Sequence, residues 1–208
     1  SLSPYQYGAN NPVNNIDVNG DSIWYTRNGD IVTMHVTAKI FNNSSDNINM
    51  ARAAKDIVSD IKSTYEGKFE WSDNKTYNLK VDMDLKVATS MKDVENSDHL
   101  FVLADSDSKG ARGATSMLGG KVMTLASSDF ANNNWLSNNL SYNKTFTATH
   151  EFGHAIGLSH SQNPFNIMKQ GGVVHNSNSN QRVIMLQQQN NLNNNLVVDI
   201  YNLGLKWR

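Results

Sequence analysis

The chain has 208 residues, with 18 Lys and Arg against 19 Asp and Glu, for a formal net charge of −1. That balance excludes a basic footprint for nucleic acid, and no apolar run approaches the ~18 residues of a membrane span. Cysteine is absent, so disulfides and thiolate metal sites are excluded and any metal must be held by His, Asp or Glu.

The length fits one domain with an appendage. Residues 1–22 carry Pro4 and Pro12, two of the three prolines, and show little periodicity; they read as an extended lead-in. Beginning at Ser1 with no basic-then-apolar leader, the chain reads as a fragment or a processed product. Ile23–Thr26 and Ile31–Ile40 flank Asn28-Gly29, a strong hairpin signal. In the second of these runs Val32, Met34, Val36, Ala38 and Ile40 share one face. From about Asp46 to Glu66 the period becomes helical, with Ile48, Ala51, Ala54, Ile57, Val58 and Ile61 as the apolar stripe and Gly67 as the stop. Leu79, Val81, Met83, Leu85 and Val87 alternate with charged residues and predict a half-solvated strand. Leu100–Ala104 is a short, wholly apolar run suited to a sheet interior. Lys121–Ala126 is a further strand, and a polar loop anchored by Trp135 and Leu136 follows it. Helices are expected from Thr145 to about Leu158 and from Asn180 to about Gln189, then a strand-like Leu196–Tyr201. The 30 asparagines, clustered at 132–134 and 190–195, read as loop and capping residues. This order predicts an α+β (α/β-like) domain, a mixed sheet packed against helices, over residues 23–208.

The segment His150-Glu151-Phe152-Gly153-His154-Ala155-Ile156-Gly157-Leu158-Ser159-His160 carries chemistry. Histidines four apart on a helix lie on one face, one turn apart, and both reach one zinc at roughly 2.0–2.1 Å. Glu151 points about 100° around the helix, away from the ligand face but within reach of a water on the metal. Gly157 can adopt positive φ, end the helix and turn the chain so that His160 supplies a third ligand. Three protein ligands leave a fourth position open, the mark of a catalytic zinc site. A chance match to the whole pattern in a chain of this length is on the order of 10⁻⁴.

The segment resembles the metzincin signature H-E-x-x-H-x-x-G-x-x-H. Ser161 after the third histidine, and Asn166-Ile167-Met168 eight residues beyond His160, resemble the matrixin-like branch. The resemblance implies a zincin/metzincin fold: a mixed twisted sheet, an active-site helix, a Met-turn and a C-terminal helix. It implies Zn²⁺ on His150, His154 and His160, Glu151 as the catalytic base, and Met168 as an apolar floor beneath the imidazoles. It also implies a sheet-edge strand that pairs with an extended peptide substrate, a role that falls to Lys121, Val122, Met123, Thr124, Leu125 and Ala126. Gln170 stands where other metzincin branches place an assisting tyrosine, so no such tyrosine is assigned; nearby His175 is a weaker oxyanion-donor candidate.

The lead-in Ser3-Pro4-Tyr5-Gln6-Tyr7-Gly8-Ala9-Asn10-Asn11-Pro12, running on to Gly20, resembles the end of an Rhs-repeat-associated core. Val18 replaces the proline usual there, which bears on self-cleavage at that junction. The resemblance implies a bacterial effector, secreted or delivered at the cell surface as C-terminal cargo, with an inhibitor or immunity protein as a further partner. A monomer is expected. The expected activity is that of a zinc endopeptidase; the alternative is a catalytically inactive zincin-like module that binds a protein partner. Asp105-Ser106-Asp107 opens like a calcium loop, with Lys109 and Ser116 departing from the pattern; Ca²⁺ is a secondary cofactor candidate.

Overall fold

The computed structural model describes residues 23–105, 113–131, 145–171 and 176–188. The lead-in, Trp135, Leu136, His175 and the strand expected at 196–201 lie outside the described residues. Strands β1 (Ile23–Asn28) and β2 (Ile31–Asn42) form the expected hairpin. Its two-residue loop is Gly29-Asp30, one residue beyond the expected centre. Gly29 has φ 61° and Asp30 is not in the left-handed region, the type II′ pattern that suits strand twist.

Helix α1 spans Met50–Tyr65. It starts later than its periodicity predicts, because the Asn49 side chain caps it by accepting from Arg52 N–H. Its buried face is Ala53, Ala54, Ile57, Ile61, Thr64 and Tyr65, while Ala51 in the first turn is exposed. Gly67, at φ 146°, turns the chain into β3 (Gly67–Glu70), a strand too short to show a period. Strand β4 (Thr76–Ala88) alternates as expected through Tyr77, Leu79, Val81 and Met83, which are buried, but at its end Leu85 is half-buried, Val87 is exposed and Ala88 is buried instead. Strand β5 (His99–Ala104) follows, then β6 (Gly113–Thr115) and β7 (Val122–Ala126). Helices α2 (Phe146–Ala155) and α3 (Ser179–Gln188) complete the described elements.

The sheet order is β3-β4-β2-β5-β7-β6, with β1 also on β2. The twelve-residue β2 makes this possible. One of its sides pairs parallel with β4 throughout, and the other is shared by β1 over Ile31–Val36 and β5 over Ala38–Asn42. Helix α1 packs across β2 and β4, α2 across β6 and β7, and α3 against β3. Strand β5 is buried on both faces. Phe101 and Leu103 join the main core with the helices, and Leu100 and Val102 pack with Val122, Phe41, Met91 and Val94 on the other side. That is the physical reason its sequence is continuously apolar.

One expectation is corrected. Lys121–Ala126 is not the sheet edge. Leu100–Ala104 pairs parallel with Val122–Ala126 on one side, and Gly113–Thr115 pairs antiparallel with Met123–Leu125 on the other. The antiparallel edge is therefore β6.

Candidate metal centre

The helix that carries the signature is buried along most of its length; among its residues His154 is only partly covered. It ends in a Schellman motif. Leu158 N–H donates to Gly153 O at 2.8 Å and Gly157 N–H to His154 O at 3.0 Å, with Gly157 at φ 89°. An L-residue resists that conformation, so glycine is required there. The reversal carries His160 back over the helix.

The three imidazoles converge. One nitrogen from each of His150, His154 and His160 lies within 4.8 Å of the others, and this is the one His/Asp/Glu cluster of its kind among the described residues. The His154 and His160 Nε2 atoms are 3.1 Å apart; two nitrogens on one tetrahedral zinc sit about 3.3 Å apart at ordinary bond lengths. Carbonyls set the tautomers. His150 Nδ1–H donates to Ile167 O and His154 Nδ1–H to Leu158 O, each at 2.7 Å. A carbonyl only accepts, so both Nε2 atoms keep their lone pairs for a cation. Burial pulls His150 down to about 4, with the charges of His154 and His160 adding to the fall and the Ile167 bond opposing it. His154 is lowered by burial as well. Neutral imidazoles are the form that ligates. This nitrogen donor set, with its outer carbonyls, fits zinc.

Glu151 lies beside this cluster and is buried. Burial raises its pKa, while the Thr115 hydroxyl and the His160 charge pull the other way. Thr115 Oγ1 donates to Glu151 Oε2 at 2.7 Å. Strand β6 thus touches the acid directly, and a Cβ at Gly113 would collide with Thr147 and crowd Glu151 Cγ and Oε1. The following loop closes on the same helix, where Gly119 N–H donates to His154 O at 2.8 Å.

Met168 is wholly buried. A Cβ on Gly153 would strike its Sδ and the Tyr65 hydroxyl. Tyr65, from α1, donates to Thr149 O at 2.8 Å and lies 3.8 Å from Met168 Sδ. Burial, helped by the Glu151 charge, raises its pKa, so it stays a donor. Sequence reasoning missed Thr115, Gly113, Gly153 and Tyr65. Their partners are 15 to 103 residues away along the chain, and no local pattern marks them. Of the acidic opening Asp105-Ser106-Asp107 only Asp105 is described, and its Oδ1 accepts from Ser45 N–H at 3.3 Å; nothing at Asp105 favours calcium.

Comparison with known proteins identifies a family. No curated protein matches. Among solved structures, archaemetzincin from Archaeoglobus fulgidus complexed with malonate is 16% identical, covering 70% of this chain and 90% of its own, at a TM-score of 0.35. Archaemetzincin from Methanopyrus kandleri is 15% identical, covering 81% and 97%, at 0.39. The profile of the Matrixin peptidase family matches residues 24–191. A match over that much of the chain means that this protein belongs to the matrixin family, the zinc metallopeptidases of the metzincin type.

Proposed function

We propose that the protein is an endopeptidase in which Glu151 is the catalytic acid and base and His150, His154 and His160 hold the zinc. The convergence of three imidazoles, two of them with their tautomers set by carbonyls, beside one buried carboxylate carries this reading. Zinc, when bound, supplies a Lewis acid that acidifies water and polarises the carbonyl under attack. Glu151 accepts the proton of the attacking water and hands it to the departing amine. Its raised pKa suits both steps, because a carboxylate nearer neutrality releases a proton as readily as it takes one. The Thr115 hydroxyl holds Oε2 and so helps to orient the carboxylate.

An extended peptide is expected to add a strand to β6. That strand pairs on one side with β7 and has no described neighbour on the other. Backbone pairing there would set the chain beside Glu151, since β6 contacts it at Thr115. The Rhs-like lead-in supports delivery by a bacterial surface or secreted protein, and an inhibitor protein would then fit the producing cell's need.

The test is zinc content with peptide hydrolysis. The wild type is expected to hold one zinc and cleave internal bonds of a denatured protein. Glu151→Gln should keep the zinc and lose at least 10³-fold in kcat, a loss in line with general acid–base catalysis joined to water activation. Native turnover by Glu151→Gln would remove the role given to that residue. A zinc-loaded wild type inert on every peptide would favour the partner-binding module.

A further inference from the structure

The turn that carries Met168 is held from α3 by two buried amides. Asn166 Nδ2 donates to Gln181 Oε1 at 2.8 Å, and Gln181 Nε2 donates back to Asn166 Oδ1 at 2.9 Å. Both side chains are buried, so water does not compete for them.

Backbone donors dictate which way each amide faces. Met168 N–H donates to Asn166 Oδ1 at 2.9 Å, so an oxygen must stand there. Asn178 N–H donates to Gln181 Oε1 at 3.0 Å, which fixes the second amide in the same way. Each NH₂ is then left facing the other's oxygen, and the pair has one arrangement. Asn178 Oδ1 in turn accepts Gln181 N–H at 2.9 Å, a capping box that anchors the pair to the start of α3.

The same turn ends on a metal ligand. Ile167 lies between Asn166 and Met168; its N–H donates to Asn176 O at 2.8 Å, and its carbonyl accepts His150 Nδ1–H at 2.7 Å. Asn166 therefore grips the peptide on one side of the carbonyl that aims His150, and Gln181 grips Asn166. A hydrogen bond to a ligating imidazole sets the ring's azimuth and basicity.

We infer that the Asn166–Gln181 amide pair is a positioning device for His150, and through it sets the affinity of the centre for zinc. This rests on His150 being a metal ligand, as proposed above. Gln181→Met keeps the volume but removes the amide, and leaves Asn166 and Asn178 N–H without partners. Gln181→Glu is a milder probe. It keeps the acceptor for Asn166 Nδ2 and Asn178 N–H, and places an oxygen opposite Asn166 Oδ1 where Nε2 stood. Val183→Ala is the control, since Val183 is on the same helix and packs on the core outside the amide network.

Zinc affinity is read by competition with a chelating dye, and the ligand geometry by the visible spectrum of the cobalt-substituted protein. Gln181→Met is expected to weaken zinc binding 10–100-fold and to shift the cobalt bands. Gln181→Glu should do the same to a smaller degree, and should stay folded if the first variant does not. Val183→Ala should lower the melting temperature but leave both readings at wild type. Wild-type zinc affinity and an unchanged cobalt spectrum in both Gln181 variants would overturn the positioning role. His150→Ala separates the two levels. If it binds zinc as well as the wild type, the metal-site reading fails and the amide inference falls with it.

Discussion

In the proposed mechanism the Thr115 hydroxyl acts through Glu151, which it touches. Its bond to Glu151 lowers that carboxyl's pKa against the larger upward push of burial. Thr115→Val keeps the shape and removes the donor. The acid limb of the kcat/KM profile should therefore move to higher pH, because a carboxyl that has lost this hydroxyl donor protonates more readily. A hydrogen bond to a charged group contributes about 1.5–3 kcal/mol, so kcat/KM should fall roughly 10–100-fold. A pH–rate profile on a fluorogenic peptide checks both the shift and the loss. Nothing in the three residues Gly113-Ala114-Thr115 announces this role. It exists because β6 lies against the second helix, and that placement follows from the sheet order.

At the scale of elements, the C-terminal end of α1 is closed from a distance by Arg182 of α3. Its guanidinium donates to the carbonyls of Tyr65 at 2.8 Å, Glu66 at 2.9 Å and Lys68 at 3.3 Å. Ser177 Oγ adds a bond to Thr64 O at 2.6 Å. A cation suits the negative end of a helix, whose last carbonyls have no donor within the helix. Gly67 is required beside it, since a Cβ there would crowd the guanidinium and its φ of 146° is unfavourable for other residues. Arg182→Met keeps the stem and strands the carbonyls. It should cost about 3 kcal/mol, and lower the melting temperature by roughly 6–12 °C for a domain of this size. Differential scanning calorimetry reads this directly. From the sequence, Gly67 is legible as the end of α1, but the arginine that caps it is not. The two are 115 positions apart, and only the packing of α3 on β3 joins them.

For the molecule as a whole, two couplings link stability to conditions. His99 starts β5 and is wholly buried, and burial together with the Lys121 charge lowers it to about 3. Above pH 6.5 it is neutral in both folded and unfolded chains. Below that, the unfolded chain takes up a proton that the folded chain refuses. Stability should thus fall by up to about 1.4 kcal/mol per pH unit, and the fall should level off near pH 3. His99→Gln should flatten that slope relative to the wild type between pH 6.5 and 5 in urea titrations. Equal slopes would show that His99 titrates normally. The second coupling is the metal. Zinc binds the folded chain, so at a free concentration about 1,000 times its Kd it adds about 4 kcal/mol. Chelation should lower the melting temperature of the wild type by roughly 8–16 °C and leave His150→Ala unmoved.

What the chain determined by itself was whatever depends on neighbours within a turn or a strand. The His150–His160 spacing, the Gly157 reversal, the alternation of β2 and β4 and the unbroken apolar run of β5 are local consequences of helix and strand periods, and all are visible in one dimension. Tertiary structure decided which strand forms the sheet edge, moving it from Lys121–Ala126 to Gly113–Thr115. It also decided what holds Glu151, Met168 and the end of α1. Those partners come from remote segments, and hydrogen bonds between them carry no period; only the assembly of the sheet and the docking of the helices bring the donors to their acceptors.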